Sequence, residues 1–340
     1  MISLSEIKAS NSSIASSLPT GLVAVFVGAT SGIGEATLKQ FAKYAKNPRC
    51  YFVGQSQEAA DRIINECKAI NSEGEYIFIK ANISLIQTVD DVCKEIKSNE
   101  KTINLLYLSQ GTLVFHTETT ERLHFATALA YYSRVRFMVN LLPLLRQASG
   151  LRRVVTVFAA GKEGIIDTTD YQGRHFSLLT ARGHASSMNT LSLEAIAKMA
   201  PEVSFVHDYP GAVKTNLMRI KNRILNFVAE GIMAIVGPFI FISNEECGDR
   251  HVYFATSARY GPLGQSEEVA SGVPLSDGAL PARGTNGEIG SGIYSLHWDG
   301  ESSGPKIVEL LGKLRSEGNV EQLWKHTEDE FKRITGVSHI

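Results

Sequence analysis

Cysteine is scarce in this chain. The four residues, Cys50, Cys67, Cys93 and Cys247, form no C-x-x-C pair and stand in no zinc-like His/Cys spacing. That excludes a disulfide scaffold and a structural zinc site, and no metal is expected. Cys50 and Cys93 lie in apolar-periodic segments, where buried thiols in a reducing, cytoplasmic compartment are the reading. Charge of one sign is equally lacking: the formal net charge is −1 and no basic run occurs, so no nucleic-acid partner is expected. An unbroken long apolar run is also missing. Ile224–Ile242 (ILNFVAEGIMAIVGPFIFI) has the length of a membrane span, but Glu230, two glycines and Pro238 interrupt it. It reads as lid helices or core ahead of a peripheral membrane contact. The Ser-rich start, MISLSEIKASNSSIASSLPTG, has no apolar core of signal-peptide length, and residues 1–20 read as a short arm.

What is present begins at Leu22–Gly34, LVAVFVGATSGIG. An apolar run ends in glycines and passes into a helix-period pattern (Ile33, Thr37, Phe41, Ala45), which predicts strand, tight turn and helix. Gly28 allows the turn, Gly32 admits a phosphate to the backbone, and Gly34 lets helix pack on strand. Gly28, Thr30, Ser31, Gly32, Ile33 and Gly34 are therefore expected to cradle a dinucleotide pyrophosphate at the helix N-terminus.

Further strands are expected at Cys50–Val53, Tyr76–Lys80, Ile103–Ser109, Arg153–Phe158 and Val203–His207, with a seventh at Ser291–His297. Helical stretches separate most of them. The alternation predicts an α/β fold, a doubly wound parallel sheet of Rossmann type with about seven strands. The 340 residues read as one domain over 21–340. Within it, 217–289 is taken as a lid insertion and 300–340 as a helical extension opened by Pro305 at a first helical position. Ligands in such a sheet sit at the carboxyl ends of the strands. After the second strand, where an acidic residue would choose NAD, stand Gln55 and Ser56. With no carboxylate to repel a 2′-phosphate, NADP is favoured, and NAD stays open because no cation stands there either.

These motifs resemble the short-chain dehydrogenase/reductase (SDR) family over about residues 20 to 216. Val27 stands in the family's Thr place of T-G-x-x-x-G-I-G, with Gly28, Gly32, Ile33 and Gly34 intact. The wording of VGATSGIGEATLKQFAKY, LSQGTL and HDYPGAVKTN is similar to SDR-like proteins of fungal natural-product pathways. The resemblance implies an adenine-side pair at Asn82 and Ile83, a turn at Ser109-Gln110-Gly111, and a nicotinamide-carboxamide segment at Pro210, Gly211, Val213 and Thr215. It also implies a catalytic Asn, Ser, Tyr and Lys. In register these places hold Ala130, Ala159, Ala181 and Ala185.

A proton donor must therefore come from elsewhere. His184, Asp208 and Tyr209 are the first choices. His184 adjoins the vacated Lys place, and Asp208 and Tyr209 close the sixth strand. Tyr171, His207, His116 and Glu118 also lie near strand ends, and Tyr131, Tyr132 and Arg134 crowd the helix around Ala130. Three functions stay open. One is an oxidoreductase acting on a carbonyl or alcohol of a small apolar substrate. The second is a non-redox isomerase, dehydratase or cyclase, and the third a non-catalytic dinucleotide-binding protein. By the family's habit, helices near 121–148 and 180–199 would pair in a homodimer.

Overall fold

The structure is a computed structural model, and it describes residues 1–213, 242–263, 271–276 and 278–340. Seven parallel strands form one sheet in the order β3-β2-β1-β4-β5-β6-β7. They are β1 (Val23–Val27), β2 (Arg49–Gly54), β3 (Glu75–Lys80), β4 (Leu105–Leu108), β5 (Arg153–Val157), β6 (Ser204–Asp208) and β7 (Ile293–Leu296). All seven expected strands are present, shifted by a residue or two at their ends. The order reverses between β1 and β4, which opens the crevice that doubly wound sheets use for ligands.

Helices cover both faces. On one lie α3 (Gly32–Tyr44), which leaves the glycine turn, and α4 (Gln57–Ile70). On the other lie α5 (Ile86–Asn99) and α6 (Ser133–Arg146). A turn at Phe125–Thr127 and a π-helical stretch, Ala128–Tyr132, lead into α6. α7 (Leu178–Met199) packs beside it, and α9 (Pro305–Ser316) and α10 (Asn319–Thr335) follow β7. Strand side chains alternate between two apolar clusters. Val25, Val53 and Leu106 meet Val89, Leu141 and Leu191 on the α5–α7 face, and Ala24, Phe26 and Phe52 meet Leu38, Ile63 and Val252 on the other. Strands buried on both faces explain the near-continuous apolar runs seen in the sequence.

Two boundaries differ from expectation. The N-terminal arm is helical, α1 (Leu4–Ser12) and α2 (Ile14–Ser17). Ser3 and Glu6 form a reciprocal capping box, and Ile7 and Ile14 are buried. Within the expected lid, the helix that follows residue 243 is core. α8 (Asn244–Thr256) lies on α3, and every residue from Cys247 to Thr256 is buried. The crossing is close because Gly248 has no side chain; a Cβ there would stand 2.6 Å from the Ala36 carbonyl oxygen. The rest of the expected lid between 217 and 241, and most of the apolar run Ile224–Ile242, lie outside the described residues. Among the described residues no helix is long and apolar enough to cross a membrane.

The helical extension is present, with Pro305 opening α9 as expected. It covers the pair of helices that the family resemblance assigns to dimerisation. Tyr131 Oη lies 2.7 Å from Thr327 Oγ1 and Tyr132 Oη 2.7 Å from His326 Nε2. Arg136 holds both oxygens of Asp90 at 2.6 Å while its guanidinium lies 5.0 Å from the Phe331 ring centroid.

Candidate active site

The glycine turn has the shape the sequence asked for. Gly28 has φ +82°, and a Cβ there would stand 2.6 Å from the Gln110 amide nitrogen, so the β1 and β4 loops touch only because Gly28 is bare. A Cβ on Gly34 would strike Ser109 Oγ and approach the Gly28 carbonyl to 2.8 Å. Gly32 opens α3 with φ +61°. Ser31 occupies the N-cap without a side-chain hydrogen bond, leaving the first-turn N–H groups of α3 uncapped and facing the crevice. A bare turn, uncapped donors and the positive end of a helix fit a pyrophosphate.

Around this turn the other cofactor-side candidates are placed as follows. Thr30 sits against Gly54, the last residue of β2. Gln55 is exposed, and its Nε2 lies 3.4 Å from Asn82 Oδ1. Ser56 caps α4, accepting from the Ala59 amide. Asn82 Oδ1 accepts from Ser84 Oγ at 2.8 Å within its own turn. Ile83 is buried beneath it. Ser109 Oγ donates to the Val27 carbonyl at 3.0 Å, and Gly111 stands in open space. Gly211 has φ +75°, Val213 is buried, and Pro210 is half-buried. Thr215 lies outside the described residues. A cavity of about 530 Å³ beside Thr30, Ser31 and Gly32 is walled by Glu35, Lys39 and Arg62. Sequence reading missed this wall because α3 and α4 supply it from outside the strand-end motifs.

Two of the three proton-donor candidates prove to be engaged elsewhere. His184 accepts from the Asp167 amide at Nδ1 and, at Nε2, lies 3.1 Å from the Tyr171 carbonyl, to which it donates. Both nitrogens hold the loop ahead of α7, and burial lowers the pKa. Asp208 is fully buried, its Oδ2 2.9 Å from His251 Nε2. His251 directs its other nitrogen to the Cys247 carbonyl at 2.7 Å. Against the cost of burial, the Cys247 sulfur and the Asp208 carboxylate hold the His251 pKa well above its ordinary value. This pair ties α8 to the end of β6. Tyr209 alone stays half-buried at the strand edge, with Lys162 Nζ 5.7 Å from its ring centroid.

Beside Tyr209 lies a polar core of which the sequence singled out His207 and Arg134 but not Glu163, Thr190 or Ser295. His207 Nε2 accepts from the Ala159 amide at 3.2 Å, and Nδ1 lies 2.9 Å from Thr190 Oγ1. Burial, with the Arg134 charge adding to it, lowers the His207 pKa to about 3. Glu163 Oε1 accepts from Ser295 at 2.8 Å and Thr190 at 3.0 Å, while burial raises its pKa. Arg134 is 1% exposed. It donates to the carbonyls of Leu108 and Val157 at 3.1 and 2.9 Å, to Thr156 Oγ1 at 2.6 Å, and to the Gln110 carbonyl.

Three of the four alanines, Ala130, Ala159 and Ala185, are tied in by neighbouring side chains on α7. Asn189 Nδ2 joins the Ala130 and Ala185 carbonyls at 3.0 and 2.8 Å, and Ser186 Oγ donates to the Ala159 carbonyl at 2.5 Å. Tyr171 stacks on His326 with ring centroids 4.3 Å apart, away from these contacts. Among the described residues no group of three or more His, Cys, Asp or Glu could hold a metal.

The chain is similar to known proteins in sequence and in fold. A family profile described as short chain dehydrogenase matches residues 22–223. An oxidoreductase of Emericella nidulans is 39% identical, covering 96% of this chain and 97% of that protein. A short-chain dehydrogenase/reductase of Stachybotrys chartarum is 30% identical over 91% of this chain and 92% of its own length. Among solved structures, L-sorbose reductase of Gluconobacter frateurii, complexed with NADPH and L-sorbose, superposes with a TM-score of 0.57. It is 18% identical and covers 77% of this chain and 97% of its own, a likeness of fold. From the glycine turn to the end of β6, in sequence and in architecture, this chain belongs to the short-chain dehydrogenase/reductase family of oxidoreductases.

Proposed function

We propose that the chain interconverts a carbonyl and an alcohol on a small, largely apolar substrate of natural-product type, using a nicotinamide dinucleotide, with NADP(H) preferred over NAD(H). The observation that carries the reading is Tyr209. Its half-buried ring closes β6, ahead of Pro210 and Gly211 and beside the ammonium of Lys162. A nicotinamide bound at this edge would supply the hydride to the carbonyl carbon. Tyr209 gives the carbonyl oxygen its proton as the alcohol forms, and Lys162 stabilises the phenolate left behind. Tyr209 thus takes the role for which His184 and Asp208 were also candidates.

Exposed apolar side chains on loops and at the start of α7 support the substrate class. Leu113, Val114, Ile165, Leu178 and Leu179 are exposed, and the four alanines leave room without polar atoms. NADP(H) is favoured by the lack of a carboxylate at Gln55 and Ser56.

The test begins with titration of the protein with NADPH and NADH, followed by nicotinamide fluorescence and melting temperature. NADPH oxidation is then measured over a panel of bicyclic ketones. Tyr209→Phe should lower kcat about 100-fold with the NADPH affinity unchanged. A Tyr209→Phe enzyme of undiminished kcat would remove Tyr209 from the mechanism.

A further inference from the structure

We infer that Arg134 is a fixed buried cation that makes the site prefer the reduced, uncharged nicotinamide over the oxidised, charged one. The inference rests on the nicotinamide reading above and adds a direction to it.

Arg134 spends its donors on oxygens that carry no full charge. They are the carbonyls of Leu108, Gln110, Val157 and Leu129, and the Thr156 hydroxyl. Among the described residues no carboxylate lies within ion-pair distance of it. The guanidinium therefore sits under the carboxyl ends of β4 and β5 without an ion-pair partner among the described residues. Its ring neighbour, Phe158, is 5.7 Å away. Burial lowers its pKa to about 9, which leaves it protonated at neutral pH.

Of the buried groups around it, the Asp208 carboxylate acts on its charge. Asp208 is matched by His251 at 2.9 Å. His207 is neutral, because Nε2 must accept from the Ala159 amide. Glu163 lies beyond His207, its Oε1 3.8 Å from His207 Nδ1, and its Oε2 has no hydrogen-bond partner. The exposed ammonium of Lys162 adds charge of the same sign. Among the described residues this edge carries three cations, Arg134, His251 and Lys162, against two carboxylates, Asp208 and Glu163, and charges in so poorly screened a setting act over several ångströms.

The oxidised nicotinamide ring bears a positive charge and the reduced ring bears none. The cation penalises the first and not the second. A reductase gains by this: the reduced cofactor is held, and once the hydride has left, the charged ring is repelled and released. The family's lysine place holds Ala185, and here the buried cation comes instead from α6.

The experiment measures dissociation constants for NADPH, for NADP⁺ and for 2′-phospho-ADP-ribose, which lacks the nicotinamide. They are taken on the wild type, Arg134→Gln and Arg134→Lys, each checked by melting temperature. The wild type should bind NADPH about tenfold more tightly than NADP⁺. Arg134→Gln should bring the two within about twofold, Arg134→Lys should keep the gap, and 2′-phospho-ADP-ribose should bind all three alike. A folded Arg134→Gln protein with the wild-type gap overturns the inference. If Arg134→Gln does not fold, the wild type decides, and NADP⁺ bound as tightly as NADPH overturns it. Binding of none of the three probes by the wild type fails the nicotinamide reading itself, and this inference with it.

Discussion

The β1–β3 end and the β4–β7 end of one sheet edge are built on opposite plans. At the first, recognition comes from backbone. Gly28 and Gly34 are bare where a Cβ would collide, and the start of α3 is uncapped. Little there is charged and buried. At the second, backbone is held by buried charge. Arg134 clamps strand-end carbonyls, Asp208 pairs with His251, and His207 holds the Ala159 amide. A backbone site tolerates little side-chain variation, so its sequence stays readable. A buried polar network can be rebuilt with other residues as long as each donor finds an acceptor.

The largest expected effect breaks the first plan. Gly28→Val puts a branched side chain at φ +82° and against the Gln110 backbone, a conformation costing about 1–3 kcal/mol before the clash is counted. Cofactor binding should be lost altogether, and calorimetric titration checks it. A folded valine variant that still binds would mean that the turn is only a structural corner. The next effect breaks the second plan. Asp208→Ala leaves His251 buried and unpaired, at a cost of about 3–5 kcal/mol. Urea denaturation should show it as a large fall in midpoint, while the glycine turn, which makes no contact with this pair, loses nothing directly. If the midpoint does not move, the pair is not holding α8 to β6.

A smaller effect separates the two histidines by pH. Unfolded histidine takes up a proton near pH 6.5, whereas folded His207 does so only at about 3. As pH falls from 6.5 toward 3 the unfolded state binds the extra proton, so stability declines by about 1.4 kcal/mol per pH unit. The raised pKa of His251 has the opposite sign: its contribution is complete below pH 6.5 and is lost as pH rises through the folded value. His207→Asn should flatten the acid limb by about one proton and leave the alkaline limb alone. An unchanged acid slope, measured by denaturation at a series of pH values, would mean that His207 is protonated in the folded chain.

The same contrast explains what the sequence disclosed. The strands were legible because each is a short apolar run ended by a turn, and the glycine turn because its spacing carries its own context. The capping box at Ser3 and Glu6 was also written in the sequence as S-x-x-E, and the arm could have been read as helix from it. α8 was not legible as core. Its NEECGDRHVYFAT is buried through Gly248 against α3 and through a His251 pair with a residue 43 positions away, and neither partner has a local signature. The four alanines were readable as vacancies, but Arg134 looked like helix crowding, and only the folded chain shows that it serves β4 and β5 together. His184 was chosen for its place beside the vacated Lys position and Asp208 for its strand end, and neither choice could foresee that Tyr171 and His251 hold them.

The smallest effect lies at the outer wall of the backbone-built end, where charge does occur but is spent. Arg62 contacts both oxygens of Glu35 at 2.7 and 2.9 Å and Glu66 at 3.1 Å. Lys39 sits on Glu35 at 2.5 Å and also meets Glu66. The four charges sum to zero. A 2′-phosphate could engage Arg62 only by drawing it off its carboxylates, so most of the new attraction replaces an old one. The pairs are also partly exposed and screened by salt. Arg62→Ala should therefore change the ratio of NADPH to NADH affinity by no more than about threefold, and less at high salt. A tenfold loss of NADPH preference would mean that Glu35 gives up Arg62 when the phosphate arrives, and that this end of the site also recognises its ligand through side-chain charge.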